Sequence, residues 1–351
     1  MPAGPPCPSE IPTYYPLTLH IIAGISIPIN FIAFYLVWFQ SPKMQGYKYC
    51  LCYLQAASFI TEIHMSFLCP GYYFFPMIGG YNTGVEFISS HTSMSIYVFI
   101  FAFELPSALL CFVFRHNAAQ NISRTAPNKK YFKTFTLFLT HLFPFAAAFC
   151  MWNSNLTNQQ KQDFVEENWP QCTQWLKFFA FEVYDYMLNP WLAVVGIGAV
   201  ALVFMVYGYG LGLGTHTMMI LQRFRKSMSR QTYQQHKTAL FSLVMQLLIP
   251  GVLIIVPLGV CMFVVVTGEV GLQEVATNTM FLVGSHSMCS SAVMISSNPR
   301  HRKYLKEKTI QILKITPNTR RIANSVEPSH RTNSLVPPNS QQRAQALTAT
   351  G

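Results

Sequence analysis

Charge is what this sequence has least of. Only 11% of its 351 residues are Asp, Glu, Lys or Arg, whereas a soluble domain carries about 25%. Acid is the scarcer sign, with 13 Asp and Glu against 24 Lys and Arg. With 51% hydrophobic residues and a mean hydropathy of +0.28, the chain is neither disordered nor collagen-like. Signatures of catalysis are missing too. There is no G-x-S-x-G, no P-loop, no H-E-x-x-H and no G-x-G-x-x-G before a helix. No enzyme is therefore predicted, and no cofactor or metal. The run GYGLGLGTH at 208–216 is rich in glycine, but it closes an apolar stretch, where small residues serve close helix packing. Cys50 and Cys52 have no partner pair or His cluster at zinc spacing. The first 16 residues contain no Lys or Arg, so no cleavable signal peptide is expected. No Cys follows Cys289, which excludes a palmitoyl anchor in the tail.

Long apolar runs are what the sequence does have. A hydrocarbon core about 30 Å thick needs roughly 20 apolar helical residues to cross it. Seven stretches qualify, at 17–39, 50–69, 86–114, 132–152, 189–213, 239–266 and 275–297. They predict an all-α membrane protein, a bundle of seven transmembrane helices. The second and seventh are the weakest, because Glu62, His64, His286 and several serines interrupt them.

The basic residues set the orientation. Lys43 and Lys48 follow span 1. Arg115, Arg124, Lys129, Lys130 and Lys133 follow span 3, and Arg223, Arg225, Lys226, Arg230 and Lys237 follow span 5. Of the 24 Lys and Arg, only Lys161 and Lys177 fall on the opposite side. The expected topology has the N-terminus outside and the C-terminus in the cytoplasm. The net charge of +11 then faces anionic membrane lipid and protein partners, and no nucleic acid is implied. On the outer side, Asn155-Leu156-Thr157 is a glycosylation sequon in the longest loop. The domain plan is an outer N-terminus at 1–16, a seven-helix domain at 17–297, a basic juxtamembrane segment at 298–316 and a disordered tail at 317–351.

Cys7, Cys69 and Cys172 are the outer cysteines. An oxidising exterior favours pairing. Cys69–Cys172 would tie the short loop before span 3 to the long loop and is the preferred bridge; Cys7–Cys172 is its rival.

Ionisable groups inside a membrane are costly and point to function. Glu62 lies about 13 residues into span 2, some 20 Å from its cytoplasmic end. With His64, His91 and His286, and with Glu86 at the outer edge of span 3, it is a candidate lining for a ligand pocket. Interhelical hydrogen bonds, or solvation in the case of Glu86, are the plainer alternatives. Glu104, near the inner half of span 3, is a candidate for a polar lock with Arg115 or with a basic residue of span 6, opened on activation. A permanent ion pair is its plainer reading. Pro250 and Pro257, seven residues apart on span 6, are expected to kink it and let its inner end swing.

An ordered set of segments carries a family resemblance. It comprises CPSEIPTYYPLTLHIIAGISIPINFIAFYLVWFQSPKM near the N-terminus, FPMIGGYNTG before span 3, CFVFRH closing it, QHKTALFSLVMQLLIPGVLIIVPL in span 6, and SHSMCSSAVMISSNPRHRKYL leaving span 7. Over roughly 7–310 the chain resembles a nematode serpentine chemoreceptor of the Str superfamily, most closely the Sri class, then Srh. The resemblance implies a G-protein-coupled receptor in the cilia of chemosensory neurons. Its small ligand would bind on the outer side, and it would signal to a heterotrimeric G protein. Inner-rim candidates for that contact are Arg115, His116, Arg223, Arg225, Lys226, Arg230, Lys237, Arg300 and Arg302. The positive-inside rule alone also accounts for these charges. The chain departs from the rhodopsin-like pattern at the end of span 3, where Phe114-Arg115-His116 replaces an acidic-Arg-aromatic triplet, and after Asn298-Pro299, where no Tyr stands three residues on. Volatile odorants, small amines and lipidic pheromones all fit the predicted pocket, and self-association into oligomers stays open. The alternatives weighed are a ligand-gated odorant-type channel and a small-molecule transporter. The loop charges oppose the channel, and the absence of a repeat between halves opposes the transporter.

Overall fold

A computed structural model describes residues 7–40, 46–85, 87–123 and 130–323. The seven expected spans are all present as helices. Span 1 is α1 (Tyr14–Phe39), and span 2 is α2 (Tyr47–Ile63) continued by a π-helical turn, His64–Leu68. Span 3 is α3 (Ser90–Ala102) followed by α4 (Glu104–Ser123). Span 4 is α5 (Lys130–Trp152). A short α6 (Asn158–Asn168) lies in the loop before span 5, which is α7 (Trp191–Arg223). Span 6 is α8 (Arg230–Thr267), and span 7 is α9 (Gln273–Gly284) followed by α10 (His286–Ser297). Five of these helical stretches are long and apolar enough to cross a membrane by length and composition. Their outward faces carry Phe31, Phe138, Phe149, Ile197, Phe204 and Val266, all exposed. Large apolar side chains on such surfaces suit lipid rather than water.

Proline explains one of the two helix breaks. A proline ring clashes with the carbonyl four residues earlier, and four residues before Pro106 is Ala102, where α3 ends. Span 7 breaks at Ser285 without any proline. Span 6 is not broken: α8 runs continuously through Pro250 and Pro257. The Tyr207 hydroxyl of α7 donates to the Leu247 carbonyl (3.0 Å), and its ring fills the notch left by Gly251. The packing there braces the helix around the first proline. At its far end Gly268, with φ +67°, gives α8 the left-handed cap that L side chains rarely adopt. The main bundle core joins Leu54, Leu109, Phe112, Val206, Leu243 and Leu247.

The end of the bundle that carries the N-terminus is covered by a small antiparallel sheet: β1 (Gly71–Tyr73), β2 (Gly79–Asn82) and β3 (Phe181–Val183). Tyr72 pairs with Tyr81, and Gly80 pairs with Glu182. Below it Tyr15, Phe74, Trp175, Phe181 and Val183 form a second core. The Lys161 ammonium and the Glu182 carboxylate, 2.6 Å apart, tie α6 to β3.

The disulfide is Cys7–Cys172, and Cys69 is a free thiol. The preferred Cys69–Cys172 bridge is therefore corrected. The N-terminal segment lies against the 3-10 helix Pro170–Lys177, where the Trp175 indole donates to the Pro8 carbonyl (3.0 Å). That contact brings Cys7 beside Cys172. Cys69 instead closes the π-helical turn, donating its backbone N–H to the His64 carbonyl.

The contacts divide the chain into units at 1–302 and 303–351. Helix α11 (Pro299–Ala323) carries the juxtamembrane segment and continues past Pro317, where the disordered tail was expected to begin. The rest of that tail lies outside the described residues.

Two outcomes test this packing. Cys7→Ser and Cys172→Ser should each lower stability by about 2–5 kcal/mol in thermal unfolding of the purified protein, while Cys69→Ser should leave it nearly unchanged. Gly251→Ala forces Tyr207 out of its notch and should cost about 1–3 kcal/mol by the same measurement.

Candidate functional site

The interior of the bundle holds a polar network where spans 1, 2, 3 and 7 meet. It is built around the two helix breaks. Glu104 opens α4 and His286 opens α10. The His286 Nε2 and Glu104 Oε1 atoms are 3.0 Å apart, both side chains buried. The Nδ1 atom of His286 faces the Val283 carbonyl (2.6 Å) and therefore donates to it. One further proton is then shared between Nε2 and the Glu104 carboxyl group. A positive imidazole at a helix N-terminus is disfavoured by the helix dipole, and a carboxylate there is favoured. Glu104 reaches that helix end through His286, and Glu62 through the Met288 N–H.

Glu62 has no solvent exposure at all. Its Oε2 accepts the backbone N–H of Met288 in the first turn of α10 (3.0 Å), and Ser26 and Ser287 lie beside it. One layer toward the opposite end, Asn30 Oδ1 accepts from Ser287 (3.1 Å), from Ser291 (2.6 Å) and from the Gln55 amide. Sequence reasoning passed over Asn30, Gln55 and Ser291. The available signal was amide side chains in the middle of apolar runs, which must find partners in hydrocarbon.

The predicted ligand set is only partly brought together. Glu62 and His286 share the network just described. His64, 8% exposed, begins the π-helical turn; its ring lies 6.0 Å from that of Tyr97, and its Nδ1 has no hydrogen-bond partner among the described residues. Met65, Tyr73, Cys261 and Met280 pack nearby in the same apolar cluster as Tyr97. Burial pushes the Tyr73 phenol, in the sheet, up to about 12, so it stays neutral. His91 is elsewhere: it bonds the Tyr184 hydroxyl and the Trp152 carbonyl, each at 3.1 Å, and ties α3 to the sheet and to α5. It is a structural link outside the network. Glu86 lies outside the described residues.

The predicted lock between Glu104 and Arg115 is also corrected. Eleven residues of helix separate them by about 16 Å. Arg115 instead lies over the Tyr47 ring, 3.6 Å from its centroid. His116 accepts from the Lys133 ammonium (2.9 Å) and bonds His216 (2.7 Å), joining spans 3, 4 and 5.

At the basic end of the bundle a cavity of about 340 Å³ opens between spans 2, 3, 6 and 7. Arg115, His236, Arg300 and His301 line it together with Tyr47 and several glutamines, and no Asp or Glu is found among its described lining residues. Burial holds the His301 imidazole below its ordinary value. Lys237 and Arg302 adjoin lining residues in sequence; Arg223, Arg225, Lys226 and Arg230 sit on the turn joining α7 to α8.

Removing one partner of a buried pair strands the other. Glu104→Leu should thus destabilise the protein by roughly 3–5 kcal/mol. The double variant Glu104→Leu/His286→Leu should recover a large part of that loss in thermal unfolding.

Comparison with known proteins fits this architecture. The crystal structure of squid rhodopsin superposes with a TM-score of 0.50 at 12% identity, over 89% of this chain and 92% of that one. No curated protein matches the chain. The family model for the serpentine type 7TM GPCR chemoreceptor Sri matches residues 5–305. The chain therefore belongs to the Sri family of seven-transmembrane serpentine chemoreceptors.

Proposed function

We propose that this chain is a ligand-activated receptor, catalysing no reaction, that binds a small molecule toward its sheet-covered end and signals to a heterotrimeric G protein at its basic end. In the cell the sheet faces outward and the C-terminus lies in the cytoplasm of a chemosensory neuron, with the cilium as the receptor's site. The observation that carries this reading is the cavity at the basic end, where Arg115 and Arg300 bring positive charge beside His236 and His301. A mouth of that charge suits an acidic protein surface. Arg223, Arg225, Lys226, Arg230, Lys237 and Arg302 are further candidates for that contact, and His116 supports that end of the bundle through Lys133 and His216.

On the ligand side the structure narrows the predicted set. Glu104 is engaged by His286, and Glu62 by the Met288 N–H. Glu62 keeps a second buried oxygen, Oε1, without a hydrogen-bond partner among the described residues. His64, beside Tyr97 and Met65, keeps a buried nitrogen without a partner among the described residues. The apolar cluster around it favours a neutral, largely apolar ligand with one hydrogen-bonding group. Asn155, exposed and followed by the α6 cap Thr157, serves as the glycosylation site in this topology.

Three measurements test the proposal. Epitope tags at the two termini should be reached by antibody in intact cells at the N-terminus only; an inward N-terminus would favour the channel, and both termini on one side a transporter. Charge reversal of Arg223, Arg225 and Lys226 together should abolish the response of a G-protein sensor at unchanged surface expression. His64→Ala should raise the effective concentration of a neutral activator by on the order of tenfold, the worth of one well-placed hydrogen bond, and Glu62→Gln should shift that dose dependence much less.

A further inference from the structure

In an unbroken helix the Met288 N–H would bond the Gly284 carbonyl. The break at Ser285 separates them, and both groups are left inside a span, where no bulk water can satisfy them. Each finds its partner on span 2. Met288 N–H donates to Glu62 Oε2 (3.0 Å), and the Ser66 hydroxyl donates to the Gly284 carbonyl (3.5 Å). Glu62 and Ser66 are four residues apart, and the π-helical turn beginning at His64 carries the second of them. Gly284 is what admits Ser66: a Cβ there would come within 2.9 Å of the Ser66 hydroxyl.

From this geometry we propose that span 7 contains a hinge, that Glu62 and Ser66 are its positioning residues, and that it has a second, straight state. In the bent state, the one in the structure, span 2 supplies both halves of the missing hydrogen bond. If span 2 draws away, the Gly284–Met288 bond can close and span 7 straightens. Both states satisfy the Gly284 carbonyl and the Met288 N–H, so neither leaves this backbone pair orphaned. That equality is what allows a small bias to shift the population. The second clamp, His286 on Glu104, holds the first turn of α10 from span 3. The hinge lies between the apolar cluster around His64 and the basic cavity, and Met294 of α10 lines that cavity. The idea deepens the receptor reading by naming the element that couples its two ends, and rests on that reading only for the link to signalling.

The test places one bio-orthogonal spin label at Ser296 on α10 and another at Tyr49 on α2, both exposed, in the full chain. Distance distributions are measured without ligand or G protein. Glu62→Leu and Ser66→Ala should each enlarge a second distance population on the order of tenfold, the factor expected from losing one helix cap. Glu62→Gln, which keeps an acceptor oxygen, should stay close to the parent. A single parental distance in a folded Glu62→Leu or Ser66→Ala protein would overturn the hinge. Should Glu62→Leu fail to fold, Gly284→Ala, which expels Ser66, must show the second population or the proposal falls. In cells, Glu62→Leu should raise basal sensor output. Shifted distances with unchanged basal output would sink the link to signalling and leave the hinge standing. A parent that drives no G-protein sensor at all would count against the receptor reading alone, since the distances are read without it.

Discussion

Hydrocarbon offers no hydrogen bonds, and that constraint governs the interior of this bundle. A helix crossing it can break only where another helix supplies the groups that the break exposes. Spans 3 and 7 both break, and their breaks are bridged to each other by Glu104 and His286. Span 2 then serves both sides of the interruption in span 7 through Glu62 and Ser66. A layer further along, Asn30, Gln55 and Ser291 knit spans 1, 2 and 7 by the same logic. Removing any of these partners leaves a buried polar group unpaired, which is far costlier than the net worth of the bond itself.

The two ends of the molecule follow from different physics. The sheet-covered end is a packed aromatic core under a three-stranded sheet, stapled by Cys7–Cys172. Its side chains are large, and most of its polar contacts are backbone bonds, so it is built to stay closed. The basic end is an open cavity whose charge comes from Arg115 on span 3 and Arg300 on α11. Between them lies the polar network, where spans 1, 2, 3 and 7 depend on one another's hydrogen bonds. A receptor needs such an arrangement: a covered end, an open end, and a connection with more than one satisfied state.

The span count was legible because length and hydropathy are properties of a segment by itself. The break in span 3 was not, since Pro28, Pro144, Pro250 and Pro257 lie inside unbroken helices and a proline by itself does not mark a break. The candidate site was legible in part. Glu62, His64, Glu104 and His286 stand out as ionisable residues in apolar runs, but their partners are set by how helices far apart in sequence rotate against one another. Arg115 was a natural partner for Glu104 in sequence, yet helical rise puts it about half the thickness of the hydrocarbon core away. His91 looked like a pocket residue and proved to be a strut between α3, α5 and the sheet.

What the sequence determined by itself is the class of molecule: seven apolar helices, basic charge on one side, and membership in a serpentine receptor family carried by motifs along most of the chain. These are sums over local composition, and packing does not alter them. What only the tertiary structure decided is pairing. Cys172 took Cys7 because Trp175 holds the N-terminal segment against its helix. Span 7, and not the proline-rich span 6, broke into two pieces, because Tyr207 braces α8 while Glu62 and Ser66 relieve the cost of a break in α9–α10. A proline removes one helical bond, but whether a helix breaks is settled by which neighbour can satisfy the groups that the break exposes.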